Sequence, residues 1–575
     1  MKNPQPNTIP DNQHSKLSLA GKDGVWLVAV LAVAGFFLVL KMFTLHPYNS
    51  DEHIYIYQGK LIAEGFVPYR DFSMAHPPLQ ALFAASLIKV FGYHFTVFRL
   101  FGTFWALVAG IFLALVVKRE WGRTASVFSM ALYILAYEPL RASIHFTGVN
   151  MTLALLMVAL LYFRQQRPFL FSLFCIMAVF TRYYALPAVL AMLIVWLIQD
   201  RKKFIHVAAY GATLAVLVFL MIGIWTGFPQ FINDAFLFQA QKTSMQEDKL
   251  SFMRDAVLFH NAIPFVLFLL GAITLGAVSF SQQVAQKASE AVRKERKMKI
   301  KKRDYTLLWT SLLAVVLTLG ILLNMKRVWM YYFVLAFPFG AVLGGWMVAL
   351  WLQSFRKYLP AKFNSTGSLV AVNPIWLISS AGIFVFFYLV SPRLEKRLNY
   401  YQEAMRNPEK RVSTYQWRDG SLPAPLNSLV KSVIWKDTRI IGEPYSSFTY
   451  FLWHASRVVD VLPEIAALVR SSSSDTDNLF GDSGTVPLVA LLSGRSIAAK
   501  EVDTNLQRYK SGNASVVELI GKIDVPSTRY ILLRDNFGVA ALPEIGRLVR
   551  EKYKEKQVFR SKTGFTLRLY ERMDG

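Results

Sequence analysis

The feature that most constrains this chain is a series of apolar runs. A hydrocarbon layer of about 30 Å takes about 20 residues of helix to cross. Runs of roughly that length lie near residues 24–44, 96–117, 123–138, 145–163, 168–182, 184–199, 203–226, 258–280, 305–324, 329–352 and 374–391. In lipid, each backbone N–H and C=O must be bonded within its own segment, so the runs predict a polytopic α-helical membrane protein of about eleven spans. The overall 54% of hydrophobic residues fits that reading. No small-x-small cleavage site follows Leu45, and the first run is longer than the apolar core of a signal peptide, so it reads as a retained helix. Residues 1–23 are polar and are expected to be disordered.

The formal charge is +26, a value that by itself would suggest a nucleic-acid partner. Position argues otherwise. Basic residues gather in short segments between the runs: Lys118, Arg119 and Arg123; Arg164 and Arg167; Arg201, Lys202 and Lys203; and "RKERKMKIKKR" at 293–303. Such loops stay in the cytoplasm and lie against anionic lipid. This places the N-terminus in the cytoplasm and residues 392–575 outside, in a plasma (inner) membrane, with no nucleic acid as partner. The single cysteine, Cys175, falls in an apolar run and excludes an intrachain disulfide. No internal repeat and no mid-span acidic residue of the kind that ion-coupled transporters use is evident.

The composition changes after residue 391. "RYILLRD" (529–535) and "TRIIGEP" (438–444) read as buried strands, "ALPEIGRLVREKY" (541–553) as a helix, and 557–572 as a hairpin around Thr563-Gly564. A soluble α/β domain is expected there. "GDSGT" (481–485) lacks the lysine and spacing of a P-loop and reads as a strand-to-helix turn.

The first outer loop (45–95) carries the most chemistry: "YNSDEHIYIYQGKLIAEGFVPYRDFSMAHPPL" at 48–79. Ser50 can cap a helix starting at Asp51 and ending at Gly65. Ile54, Tyr57, Leu61 and Ile62 then share one face, with Glu52, Gln58 and Lys60 largely elsewhere, as in a helix lying on a membrane surface. A second interfacial helix is expected over 77–92. At the first turn of a helix Asp51 stays ionised and can accept a proton from an acceptor hydroxyl. Arg70 and His76, brought back to the interface with Tyr69 and Asp71, can stabilise a departing phosphate. The plain alternative is an acidic helix cap among interfacial tyrosines.

Asp51-Glu52 just after the first span, followed by "GFVPYRDF" and "HPPL", resembles the first outer loop of GT-C glycosyltransferases. The pattern is most similar to the branch of protein O-mannosyltransferases, lipid A aminoarabinose transferases and Rgt-like bacterial enzymes. The likeness is good over 24–140 and looser beyond. The segment "KRVWMYYFVLAFPFGAVL" (326–343) also resembles a late family segment. The resemblance implies a GT-C-like core over 24–391 with interfacial helices in the first outer loop. It implies transfer of a monosaccharide from a polyprenyl-phosphate carrier to an extracytoplasmic glycan, lipid or protein, with Asp51 as base beside Glu52. Family members usually have lysine before the Pro-Pro pair where this chain has His76, so the main phosphate contact is sought at Lys326 or Arg327, with Arg182 as a further contact to the carrier. Tyr55, Tyr69, Asp71, Tyr331 and Tyr332 are candidate substrate contacts. A divalent metal on Asp51, Glu52, Asp71 and His76 stays open, because their spacing matches no compact motif. An O-antigen-type ligase or polymerase, a lipid-linked sugar flippase and a scaffold without catalysis are the rival readings.

Overall fold

The structure, a computed structural model, describes residues 12–42, 51–242, 261–293, 304–328, 330–363, 461–535, 537–560 and 565–574. The run at 374–391, the strand expected at 438–444, Ser50 and the Thr563-Gly564 turn lie outside them.

The first helix, α1 (Asn12–Met42), begins well before residue 24, in a stretch expected to be disordered. Its start follows Pro10, the last of three prolines, and no residue after it forbids helix. The first loop holds α2 (Glu52–Ala63) and α3 (Leu79–Phe91). Next, α4 (Phe95–Ile134) folds on itself at Gly122, whose φ of 86° suits a residue without a side chain. The two halves pack together: Ser126 Oγ donates to the Ala114 carbonyl at 2.7 Å, and a Cβ on Gly110 would sit 2.7 Å from an Ile134 methyl. The two runs predicted at 96–117 and 123–138 are therefore one helical hairpin.

Six helices among the described residues are long and apolar enough to cross a membrane. They are α1, α4, α9 (Arg201–Thr226), α12 (Ala262–Arg293), α13 (Thr306–Asn324) and α14 (Phe337–Phe363). Three runs read as spans form shorter apolar helices: α6 (Val149–Arg164), α7 (Pro168–Thr181) and α8 (Leu186–Gln199). α6 is buried along most of its length, so its apolarity reflects helix neighbours as much as lipid. The chain is a multi-pass membrane protein. α14 is the most buried of the long helices. Its glycines let backbones approach, as at helix contacts in lipid: a Cβ on Gly345 would fall 2.6 Å from the Ala125 carbonyl, and one on Gly340 2.4 Å from the Phe268 ring.

The loops sort to two ends. At one, Arg164 pairs with Glu120 (2.9 Å) and Asp304 (2.7 Å), while Lys118 and Arg123 both reach Asp23. At the other end lie the first loop, α5 (Tyr137–Ala142), Arg182, the turns α10 (Phe228–Ile232) and α11 (Phe238–Gln241) with a π-helix between them, and the 3-10 turn Met330–Ala336.

Residues 461–574 form a five-stranded sheet of order β2-β1-β3-β5-β4, from β1 (Asn478–Gly481), β2 (Ser496–Ile497), β3 (Thr528–Arg534), β4 (Tyr553–Arg560) and β5 (Thr566–Arg572). β1 runs parallel to β2 and β3, and β5 runs antiparallel to β3 and β4. The helices are α15 (Val461–Ser471), α16 (Val486–Ser493), α17 (Leu506–Lys510), α18 (Val516–Ile523) and α19 (Pro543–Lys552). The strand at 529–535, the helix at 541–553, the strand-to-helix turn at 481–485 and the paired final strands are all present.

This domain sits on the first loop. Tyr57 Oη accepts from the Ile497 N–H at 2.8 Å, and the Lys500 ammonium lies 4.2 Å from the centre of the Phe66 ring. Ile54, Tyr57 and Leu61 share one buried cluster with Leu462, Leu488 and Leu491. Here α2 departs from expectation. Glu52, His53, Gln58 and Gly59 are buried along with its apolar residues. The helix does not lie on a surface, because α3 covers one side (a Cβ on Gly59 would be 2.5 Å from Ala84 Cβ) and the C-terminal domain another.

Candidate active site

Asp51 is the N-cap of α2, not its first helical residue, and its side chain makes no capping bond. It has no hydrogen-bond or ion-pair partner among the described residues. It is open to solvent, although protein surrounds it on most sides. Burial, and then the charge of Asp503, raise its proton affinity, while Arg182 and Lys242 oppose them.

Glu52, one residue on, is placed very differently. Its carboxylate is fully buried, 2.6 Å from Arg99 Nη2, and accepts the Phe146 N–H at 2.9 Å. Burial alone would raise its pKa, but Arg99, helped by His145 and His53, holds it at about 2. Removing one partner of such a pair typically costs about 3–5 kcal/mol, so this pair fixes the start of α2 and with it Asp51.

Arg182, at the end of α7, is built in. Its Nε donates to the Thr147 carbonyl at 2.9 Å and its Nη2 to Gln80 Oε1 at 2.8 Å. Gln80 donates in turn to the Phe146 carbonyl at 2.7 Å. Gly148 (φ 78°) leaves room for this, since a Cβ there would lie 2.4 Å from Gln80 Oε1. The guanidinium stacks 4.4 Å from the Tyr55 ring centre, and the His76 ring is 5.9 Å from Tyr55 on centres. His76 is half-buried, and burial with the cations Arg182 and Lys242 pushes its pKa well down, so it meets a ligand as a neutral imidazole. Tyr331 lies within the field of Asp51 and Arg182; its ring is 4.6 Å from that of Tyr332, which packs 4.2 Å from Tyr184.

Lys242, just past α11, is a cation the sequence pattern did not single out. Burial, then Arg327 and Arg182, lower its pKa to about 8, against the pull of Asp503 and Asp51. Arg327 is thus part of this group. Lys326 is exposed and donates to the Ala240 carbonyl at 2.7 Å, which tethers the segment carrying Lys242. The C-terminal domain adds two carboxylates. Asp482, in the "GDSGT" turn, is buried, and burial pushes its pKa up to about 6 against Arg534 and the Gly484 N–H, with Asp51 adding to the rise. Asp503 acts on both Asp51 and Lys242. Apart from their charge, neither carboxylate carried a sequence signal that ties it to residue 51.

Three expected site residues make a local turn instead. Asp71 accepts the Val67 N–H at 2.7 Å and pairs with the exposed Arg70 at 3.0 Å. Tyr69 (φ 64°) is buried and donates to the His76 carbonyl at 2.6 Å. They shape the loop that carries His76. Among the described residues no group of three or more His, Cys, Asp or Glu is spaced to hold a metal ion.

No protein-family model and no curated protein matches the chain. Solved structures do. ArnT from Cupriavidus metallidurans, in its apo crystal form, aligns at a TM-score of 0.56 over 96% of this chain and 98% of that one, with 12% identity. The same protein bound to undecaprenyl phosphate aligns at 0.55 with the same coverage. The chain has the GT-C fold. An oligosaccharyltransferase from Archaeoglobus fulgidus also aligns, at a TM-score of 0.40 that bears no weight. The GT-C likeness spans both the helical core and the C-terminal domain, since the alignment covers nearly the whole of each chain.

Proposed function

We propose that this protein is an integral membrane glycosyltransferase that moves a monosaccharide from a polyprenyl-phosphate carrier to an extracytoplasmic glycan, lipid or protein. The observation that carries the reading is Asp51: an accessible carboxylate with no partner, held at a helix start beside Arg182 and Lys242 in a GT-C fold. The undecaprenyl phosphate bound by ArnT supports a lipid-linked donor.

In the proposed step, Asp51 takes the proton of the acceptor hydroxyl as its oxygen attacks the anomeric carbon. The bond from that carbon to the phosphate oxygen breaks, and the electron pair leaves with polyprenyl phosphate. Arg182, Lys242 and Arg327 stabilise the charge that develops there. One displacement inverts the anomeric centre. Glu52 holds Asp51 in place through Arg99, and no step calls for a metal. The basic loops at the far end support a reading with the N-terminus in the cytoplasm and the C-terminal domain outside an inner (plasma) membrane.

The test supplies labelled polyprenyl-phosphate sugars to the purified protein in lipid. Wild type should release label from the carrier, and Asp51→Asn should lose at least a hundredfold in turnover while still binding donor. Turnover by Asp51→Asn at the wild-type rate would remove the base from Asp51, and no turnover by wild type with any donor and acceptor would remove the transferase.

A further inference from the structure

Asp503 is eight per cent exposed, and among the described residues its carboxylate has neither a hydrogen bond nor an ion pair. Carboxylate oxygens that no group of the protein occupies are free to accept donors from a ligand. The place of Asp503 is well fixed. The next residue, Thr504, donates its hydroxyl to the Gly481 carbonyl at 2.8 Å, which brings the loop bearing Asp503 beside the turn bearing Asp482. Arg508 donates to the Asp503 carbonyl and to Ser73 Oγ of the first loop, and so sets this corner of the C-terminal domain over that loop. From there the charge of Asp503 reaches Asp51 and Lys242.

The charged residues that act on Asp51 and on one another are therefore divided by origin. The cations, Arg182, Lys242 and Arg327, come from the ends of membrane helices and the segments next to them. Asp482 and Asp503 come from the C-terminal domain, and Asp51 belongs to the first loop. A phosphate on a lipid enters from the membrane and is drawn to the cations, while the carboxylates repel it. The group linked to that phosphate then points toward the C-terminal domain. Buried carboxylates suit a polyhydroxylated ring, since each can accept two O–H donors.

We infer that Asp503, supplied by the C-terminal domain, binds hydroxyl groups of the carrier-linked sugar and so sets which sugar is accepted. This rests on the carrier reading above. Asp503 contacts the sugar and leaves the phosphate to the cations, so loss of its charge separates the two.

The experiment measures binding to the full-length protein in lipid nanodiscs of two probes, bare polyprenyl phosphate and a panel of polyprenyl-phosphate-linked hexoses and pentoses. Wild type should bind at least one linked sugar more tightly than the bare carrier. Asp503→Asn should weaken that sugar-linked probe about tenfold, the scale of a lost charged hydrogen bond, and leave the bare carrier no weaker. Asp503→Glu, which keeps the charge but moves it, should lose the sugar's advantage as well, and it serves if the asparagine variant does not fold. Equal weakening of both probes, or no weakening of the linked sugar in either variant, would overturn the assignment. Failure of wild type to bind even the bare carrier would instead remove the carrier reading beneath it.

Discussion

Asp51 and Lys242 act on each other's charge, and the proposed step sets them opposite requirements. It needs Asp51 ionised to take a proton and Lys242 protonated to hold a phosphate. Asp51 has its proton affinity raised by burial and Asp503, so activity should fall on acidification at a pH above the ordinary aspartate range. Lys242 has its pKa lowered to about 8, so its charge, present below that value, is lost as pH rises through it. The profile of kcat/KM, which reports the free enzyme, should be bell-shaped with an alkaline limb near pH 8. In Lys242→Arg the guanidinium keeps its charge, so the alkaline limb should disappear while the acid limb stays. An unchanged alkaline limb in that variant would take Lys242 out of phosphate binding. Asp51 was legible from sequence because a helix start and an acidic pair occur together in a few residues. Lys242 was not, since a single lysine in an aromatic outer segment looks like any interfacial lysine. Arg70 and Asp71 pair with each other in a Pro-containing loop, a local contact that adjacent opposite charges make readily.

Among the elements, the long helices follow the apolar runs closely, because in lipid composition and length leave the backbone little choice. The hairpin in α4 was visible as two runs about a basic turn, and Gly122 is what lets the chain reverse there. The all-round burial of α2 was not visible. Its periodicity predicts one apolar face, but the cover on its second face arrives from residues more than four hundred positions later. Glu52 and Gln58 are taken up within the first loop and the helical core, Glu52 by Arg99 and the Phe146 N–H and Gln58 by the Ser73 carbonyl. The contact between α14 and α4 is sensitive to a single atom. Even a methyl group on Gly345 would fall 2.1 Å from Ser129 Oγ and 2.6 Å from both the Ala125 carbonyl and the Ser129 nitrogen. Two of those neighbours are backbone and cannot rotate away, so Gly345→Ala must push the helices apart. A cost of about 1–3 kcal/mol is expected from overpacking of this kind. It should appear as a lower unfolding temperature in detergent, whereas Gly276→Ala, with nothing within 4 Å, should leave the temperature within error.

At the scale of the whole molecule, the site is complete only when the C-terminal domain is seated on the first loop. The α/β pattern of that domain could be read from its strands and final helix, yet nothing in the pattern says where it docks. Docking rests on apolar cover over α2, on the Tyr57–Ile497 and Lys500–Phe66 contacts, and on a buried polar hub. Arg508 reaches Ser73 in the first loop, Asp234 in the π-helical turn at 3.8 Å and Glu501 of its own domain at 3.8 Å. It is buried, so the hydrogen bonds and charge pairs it makes are shielded from solvent competition. Arg508→Ala would leave Asp234 buried without its cation and unfasten the segment that leads on to Lys242. Backbone hydrogen exchange in lipid should then accelerate over 51–63 and 228–242, while the β3 strand inside the C-terminal domain keeps its protection. Donor turnover should fall with it, mainly through a higher KM, because the base and the cations remain but the wall opposite them is loosened. If exchange in those segments matched the wild type, the apolar cover with the Tyr57 and Lys500 contacts would be holding the domain in place, and Arg508 would have no part in completing the site.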